Sequence, residues 1–482
     1  MSTVPRIAKN VAFLYIAYII TSVLSILLTV VIARNLGDIT FGRYSFAFAF
    51  TAIFAVFLDL GFNTLVVRDV ARDKSMAPKY LGNIIIIKAI LSVAIFGFIS
   101  LTISLMDYPH DTTTAVLILG IYIIFTALAD IFRVTFRAFE RMEYEALVSV
   151  VSRLIIVSLG LAAVFLGYGL VEITLVFAIG GIFDFIFSFF LCGKKFAKPR
   201  LEIDLHFWKR AVKIALPIGF LSIAAIIYIK IDTVMLSLMK GDDVVGWYNA
   251  AYSLVLALQP IPPILMNALL PSMASFFISS RSSLEISYEK SLKYLLILGL
   301  PMAVGLALLA SRIIPLFYGS EFTNSISALQ ILAWDVLLIF LFTPLAVVLI
   351  SMDKQNQMAV VAAGCALINV ILNIILIPRF SYIGAGIATL ATETVLFGLY
   401  FYLVSKYLCK LPLHKIVARP MVACAIMAAF VCLFYGMNLG LLVVLAAALY
   451  FVVLYLTRGF TADDLDLLKE ILRYAKTRGR TQ

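Results

Sequence analysis

Charge is scarce in this chain. Asp, Glu, Lys and Arg make up only 13% of 482 residues, about half the share of an ordinary soluble domain. That shortage excludes a water-soluble globular protein. Histidine is rarer still: His110, His206 and His414 stand isolated, so no metal centre is credible. The five cysteines, Cys192, Cys365, Cys409, Cys424 and Cys432, form no CxxC pair. Most sit in apolar runs and read as small buried hydrophobes rather than disulfides. No GxxxxGKS/T loop is present, which argues against direct ATP hydrolysis. Nucleic-acid motifs are also missing, so the net charge of +11 is first a topology signal and no nucleic-acid partner is expected. The apolar/polar alternation of a β-barrel is absent too.

What the chain has is apolar length: 63% of its residues are hydrophobic, in long continuous runs. One membrane crossing takes ~20 such residues. The pattern predicts an all-α polytopic membrane protein with fourteen spans. Their approximate cores are 10–33, 43–66, 82–106, 114–138, 146–167, 170–192, 211–238, 245–274, 292–313, 326–350, 357–378, 383–405, 415–436 and 439–457. The run after Arg6 and Lys9 is too long for a signal-peptide core and reads as an uncleaved first span. An even span count places both termini on one side. Arg34, Arg43, Lys240, Arg312 and Arg379 then fall on the opposite side, and Lys88, Arg133, Arg153 and Lys230 fall inside spans. All other basic residues lie with the termini, so both termini are expected in the cytoplasm. After the last span, Thr461 can cap a helix whose leucines recur at Leu465, Leu468 and Leu472. This predicts a short amphipathic helix with a basic end, either on the inner membrane face or against cytoplasmic loops.

An internal repeat divides the chain. Gly37-Asp38-x-x-x-Gly42-x-Tyr44 is matched by Gly241-Asp242-x-x-x-Gly246-x-Tyr248 at a constant offset. Each copy follows one long span and opens the next. Six spans separate the copies, an even number, so the halves enter the membrane in the same direction: a parallel, pseudo-two-fold repeat. The expected organisation is an N-terminal lobe over 1–200 and a C-terminal lobe over 201–410, each of six helices. Two further helices follow over 411–458, and a cytoplasmic segment over 459–482. Prolines within or beside spans concentrate in the second half, at Pro217, Pro260, Pro262, Pro263, Pro271, Pro301 and Pro344. Most of the bending is therefore expected there, above all in span 8.

Several segments resemble the multidrug/oligosaccharidyl-lipid/polysaccharide (MOP) exporter superfamily, and most of all its polysaccharide-transporter branch of Wzx-type flippases. They are Asp59-Leu60-Gly61-Phe62 through Arg68-Asp69-Val70-Ala71-Arg72; Pro315-Leu316-Phe317-Tyr318-Gly319-Ser320-Glu321-Phe322; and Asn369, Asn373, Leu376-Ile377-Pro378 with Gly384-Ala385-Gly386-Ile387-Ala388-Thr389. The resemblance implies two six-helix lobes around a central cavity that opens alternately to either side. It implies movement of a lipid-linked oligosaccharide, on polyprenyl phosphate or pyrophosphate, from the inner to the outer leaflet of the cell membrane. No catalysis is implied. Partners would be that substrate, membrane lipids and glycan-assembly proteins, with the transporter itself a monomer. Span 1 has no arginine before Arg34, unlike members with strongly cationic first helices.

A phosphate in a membrane cavity calls for cations, and charge inside a span is costly. The headgroup candidates are Arg133, Arg137, Arg153, Lys88 and Lys230. Lys230 and Asp232 are two residues apart on one helix, so they point to nearly opposite faces. Asp232, Asn369, Asn373 and Thr389 offer one carboxylate and several neutral oxygens, a set suited to sodium. In sodium-coupled relatives spans 7, 11 and 12 form such a site, although Asn373 stands where those often carry a second acid. Thr392 and Glu393 are alternates. Asp59, Asp184 and Asp335 are intramembrane acids suited to proton coupling or to structural pairing. No cofactor is expected beyond sodium or a proton as coupling ion. A cation-coupled multidrug antiporter and, more remotely, a membrane glycosyltransferase or ligase remain the alternatives.

Overall fold

The structure, a computed structural model, describes residues 3–459. The amphipathic helix and basic end expected beyond Gly459 lie outside them. Every regular element among the described residues is helical. Among the described residues, twelve helical segments are long and apolar enough to cross a membrane. Two are far longer than one crossing needs: Ala12–Arg72 has 61 residues and Gln355–Tyr407 has 53. Each contains a residue that leaves helical geometry, Gly37 at φ 75° and Ser381 at φ 56°.

In chain order the helices are α1 (Thr3–Asp59), α2 (Phe62–Arg72), α3 (Ala77–Leu105), α4 (His110–Ala138), α5 (Met142–Phe165), α6 (Leu170–Lys195) and α7 (Leu205–Met239). Then come α8 (Asp242–Leu258), α9 (Ile261–Ser279), α10 (Arg281–Tyr318), α11 (Ser325–Ser351), α12 (Gln355–Tyr407), α13 (Leu413–Leu433) and α14 (Leu439–Leu456). Helix is the natural choice for an apolar run in lipid, because it satisfies every backbone N–H and C=O within the segment.

Breaks have identifiable causes. The gap between α8 and α9 falls at Gln259 and Pro260, where the proline ring excludes continuous pairing. The first half, which has no proline well inside a span, also breaks: Leu60 (φ 43°) and Gly61 (φ 88°) separate α1 from α2. Gly219 of α7 lies against this corner, and a Cβ there would come within 2.8 Å of Leu60 backbone atoms.

By packing, the chain divides into two compact units. The first comprises the described part of Met1–Pro260, with Ile314–Ala328 and Asn356–Leu396. Its two repeat copies interlock. A Cβ on Gly42 would sit 1.7 Å from the Asp242 carbonyl oxygen, and one on Gly246 would sit 2.1 Å from that of Asp38. The side chains reciprocate: Arg43 Nε donates to Asp242 Oδ2 at 2.9 Å, and Trp247 Nε1 donates to Asp38 Oδ2 at 2.8 Å. Arg43 and Trp247 occupy equivalent positions in the two copies. The turn glycines Gly37 and Gly241 both take positive φ, 75° and 122°, which favours glycine.

At the other end of this unit α2, α3, α4 and the start of α7 share an apolar cluster that includes Phe62, Leu81, Phe132, Phe136 and Phe207. The segment entering α7 is tied to α3. Arg200 N donates to Pro78 O at 2.9 Å, Lys79 Nζ to Asp204 Oδ2 at 2.7 Å, and Trp208 Nε1 to Asn83 Oδ1 at 2.8 Å. Asp204 also caps α7 through Phe207 N. Lys79 and that cap hold its carboxyl below the usual range.

The second unit contains Ile261–Ile313, Leu329–Gln355 and the described part of Phe397–Gln482. Here Tyr450 OH of α14 donates to Ile297 O at 3.0 Å, and Arg312 Nη1 donates to Tyr435 O at 2.5 Å.

Candidate functional site

Asp232 is the centre of a buried polar cluster. Its side chain lies in α7, 4% exposed. Oδ1 accepts from Asn373 Nδ2 at 2.6 Å, and Oδ2 accepts from Thr389 Oγ1 at 2.6 Å and Tyr248 OH at 3.0 Å. Asn373 Nδ2 also donates to Asn369 Oδ1 at 3.0 Å. The reversal at Ser381 makes this possible, because it folds the two arms of α12 so that residues on either side of it meet one carboxylate. All four residues singled out in the sequence for a cation site are therefore in one cluster. Tyr248 was not among them. The signal for it was present, since it is the tyrosine of the second repeat motif.

The cluster suits a small cation. Asp232 forms no ion pair among the described residues, and Asn373 Oδ1 is buried without a hydrogen-bond partner. A carboxylate taken out of water without a counter-charge is strongly disfavoured. Sodium would be held by Asp232, Asn373, Asn369 and Thr389 oxygens, or a proton by Asp232 alone. A second buried acid lies on α12: Glu393 Oε1 accepts from Tyr228 OH at 2.8 Å, and its Oε2 is unpartnered.

The five cationic candidates separate into two groups. Lys88 is fully buried, and its three N–H donors are all taken, by Asp59 Oδ1 at 3.2 Å, Asn63 Oδ1 at 3.0 Å and Ala127 O at 3.1 Å. It does not extend to a headgroup region. Arg133 joins Asp130, with Nε donating at 3.0 Å, to Asp184 Oδ2, 3.1 Å from Nη1. Arg137 donates through Nε to Glu145 Oε2 at 2.7 Å. Asp59, which could have paired with Lys230, is thus committed to Lys88. Arg153 and Lys230 are half-buried and form no ion pair among the described residues.

Lys88 makes a direct test of this partition. Asp59→Asn leaves a buried ammonium without its carboxylate. Breaking a buried pair costs ~3–5 kcal/mol, and since Asp59 is 35% exposed the expected loss is at the low end. Asp59→Asn with Lys88→Met together should recover most of it. Equilibrium unfolding of the single and double variants in detergent measures the coupling; additive effects would show that the pair contributes nothing.

A family model described as polysaccharide biosynthesis protein matches residues 7–277, more than half the chain. The chain belongs to this family. The matched stretch of this polysaccharide biosynthesis family member contains all five cationic candidates and Asp232, and stops before Asn369. Among curated proteins it is 24% identical to the putative O-antigen transporter of Escherichia coli (strain K12) over 399 residues, 81% of this chain and 95% of that one. It is 22% identical to the capsular polysaccharide biosynthesis protein CapF of Staphylococcus aureus, across 82% and 98%. Among solved structures, lipid II flippase MurJ in an inward closed conformation superposes with a TM-score of 0.77 at 16% identity, covering 94% of this chain and 99% of that one. An inward-facing MATE multidrug transporter of the MOP superfamily gives 0.65 at 15% identity, over 80% and 95%. At such identities these likenesses establish the shared fold.

Proposed function

We propose that this polysaccharide biosynthesis family member is a flippase that carries a lipid-linked oligosaccharide from the inner to the outer leaflet by alternating access. The family match, with full-length relatives named for O-antigen transport and capsule synthesis, carries this reading. It is a transporter and not an enzyme, embedded as a multi-pass protein in the cell membrane. The two overlong helices, reversed at Gly37 and Ser381, count as two spans each, making fourteen with both termini cytoplasmic. Two six-helix lobes over 1–200 and 201–410 then carry the transport path, and α13 and α14 fall outside the repeat.

Within that path Lys230 and Arg153 are the headgroup-binding residues, because the other three cations are already neutralised by carboxylates. A charged hydrogen bond is worth ~1.5–3 kcal/mol, so Lys230→Ala or Arg153→Ala should each slow transfer by about 10- to 100-fold. Arg137→Ala should act on stability first. The assay follows lipid-linked oligosaccharide between the leaflets of proteoliposomes, with unfolding measured in parallel. Rates unchanged in both variants would remove the headgroup assignment.

Asp232, Asn369, Asn373 and Thr389 form the coupling-cation site in this reading. The fold shared with a multidrug transporter supports one competitor, a cation-coupled drug antiporter. Uptake of a cationic dye into the same vesicles, without transfer of lipid-linked glycan, would select it.

A further inference from the structure

The first unit also holds a cleft of about 700 Å³ that shares no residue with the Asp232 site and is backed by Phe132 of the apolar cluster above. Its wall is aromatic: Phe132 of α4 with Phe185, Phe189 and Phe190 of α6. Phe132 meets Phe185 and Phe189 at centroid distances of 6.0 and 5.6 Å. Its rim is cationic, formed by Lys194 and Lys198. Local folding creates this combination. Phe196 N and Ala197 N both donate to Cys192 O, at 2.9 and 3.1 Å, and reverse the chain just after α6. Lys198 is thereby laid beside Gly193, its Cγ 4.0 Å from where a Cβ would stand. The following segment is clamped to α3 by the Arg200–Pro78 bond, and Gly82 admits the Arg200 carbonyl so closely that a Cβ would lie 1.7 Å from it. The rim is therefore anchored.

Two observations define the occupant. Phe189 and Phe190 are 48% and 62% exposed, so the wall opens outward, where a lipid chain can lie on it. Neither Lys194 nor Lys198 forms an ion pair among the described residues, and like charges held together attract an anion. The rest of the lining is apolar side chains, glycine and proline, and offers no hydroxyl or amide to a sugar.

We propose that this cleft retains one anionic phospholipid, with an acyl chain on the Phe185, Phe189 and Phe190 rings, backed by the buried Phe132, and the phosphate between Lys194 and Lys198. The site rests on the membrane-spanning fold and not on the flippase reading, so either can fail without the other.

The test is native mass spectrometry of the intact purified protein with phosphatidylglycerol, phosphatidylcholine or inorganic phosphate. Wild type, the double variant Lys194→Gln/Lys198→Gln and Gly193→Leu are compared. Gly193 meets only Lys198 at van der Waals distance, so leucine fits there and projects into the cleft. Wild type should retain phosphatidylglycerol at least 10-fold better than phosphatidylcholine. The double variant should lose that preference, and Gly193→Leu should lose retention of both lipids. Lys195→Gln, outside the lining, should behave as wild type. Equal retention by all proteins, or no preference for the anionic lipid, overturns the proposal. Displacement of phosphatidylglycerol by millimolar inorganic phosphate would reduce the site to a free-anion site and also overturn it. Preferential retention of a polyprenyl phosphate would reassign the cleft to the transported substrate. Parallel flipping assays separate the two readings: the double variant should flip while failing to retain phosphatidylglycerol.

Discussion

Asp232→Asn should slow oligosaccharide transfer by about 100-fold and abolish any dependence on sodium or on pH. Asparagine keeps the size and much of the hydrogen bonding of aspartate, so the packing of α7 against α8 and α12 survives. What disappears is the carboxylate charge at the centre of the cluster. With a cation bound, losing the carboxylate forfeits a charge-assisted interaction worth ~1.5–3 kcal/mol, and 1.4 kcal/mol corresponds to a factor of ten. The reciprocal variant is Asn373→Asp. Its Nδ2 now donates to Asp232 Oδ1 at 2.6 Å; an aspartate would add a second negative charge and should tighten cation binding. Transfer rates in proteoliposomes, with and without a sodium gradient and at two external pH values, decide between the ions. An Asp232→Asn protein with wild-type rate and unchanged ion dependence would sink the coupling role and leave the cluster a structural network.

Gly42→Ala and Gly246→Ala should each destabilise the protein by about 3 kcal/mol, the upper part of the range for overpacking. Both added methyl groups would run into backbone rather than a yielding side chain, at 1.7 Å from Asp242 O and 2.1 Å from Asp38 O. The helices must separate, and with them go the Arg43–Asp242 and Trp247–Asp38 bonds. Gly97→Ala is the internal control: a Cβ there meets nothing within 4 Å. It should be neutral or stabilising by about 0.4–1 kcal/mol, because alanine reduces the freedom of the unfolded chain. Denaturant unfolding in detergent measures all three. If Gly42→Ala and Gly246→Ala match Gly97→Ala, the two copies are not pressed together.

The candidate site was partly readable in the chain. Asp232, Asn369, Asn373 and Thr389 stand out as polar groups in apolar runs, and the resemblance to sodium-coupled relatives is what gathered them into one site. Tyr248 escaped notice because tyrosine is unremarkable in such a run; only α8 packing against α7 aims its hydroxyl at Asp232. Lys88 was a headgroup candidate because it is a cation within a span, and the sequence does not show what it meets. Asp59, Asn63 and the Ala127 carbonyl, on α1, α2 and α4, consume its donors. The break at Leu60–Gly61 carries no proline to announce it.

Composition and one-dimensional spacing were enough to determine that this is a helical membrane protein, that its chain contains a duplicated Gly-Asp turn, and which few charges lie within apolar runs. Those properties depend on transfer free energy and helical period, both local. Tertiary structure alone decided which of those charges remain available. Asp232 meets partners 141 and 157 residues away, and Lys88 meets Asp59 across 29. Whether an intramembrane charge is neutralised depends on which helix face lies opposite it, and helix period says nothing of that neighbour.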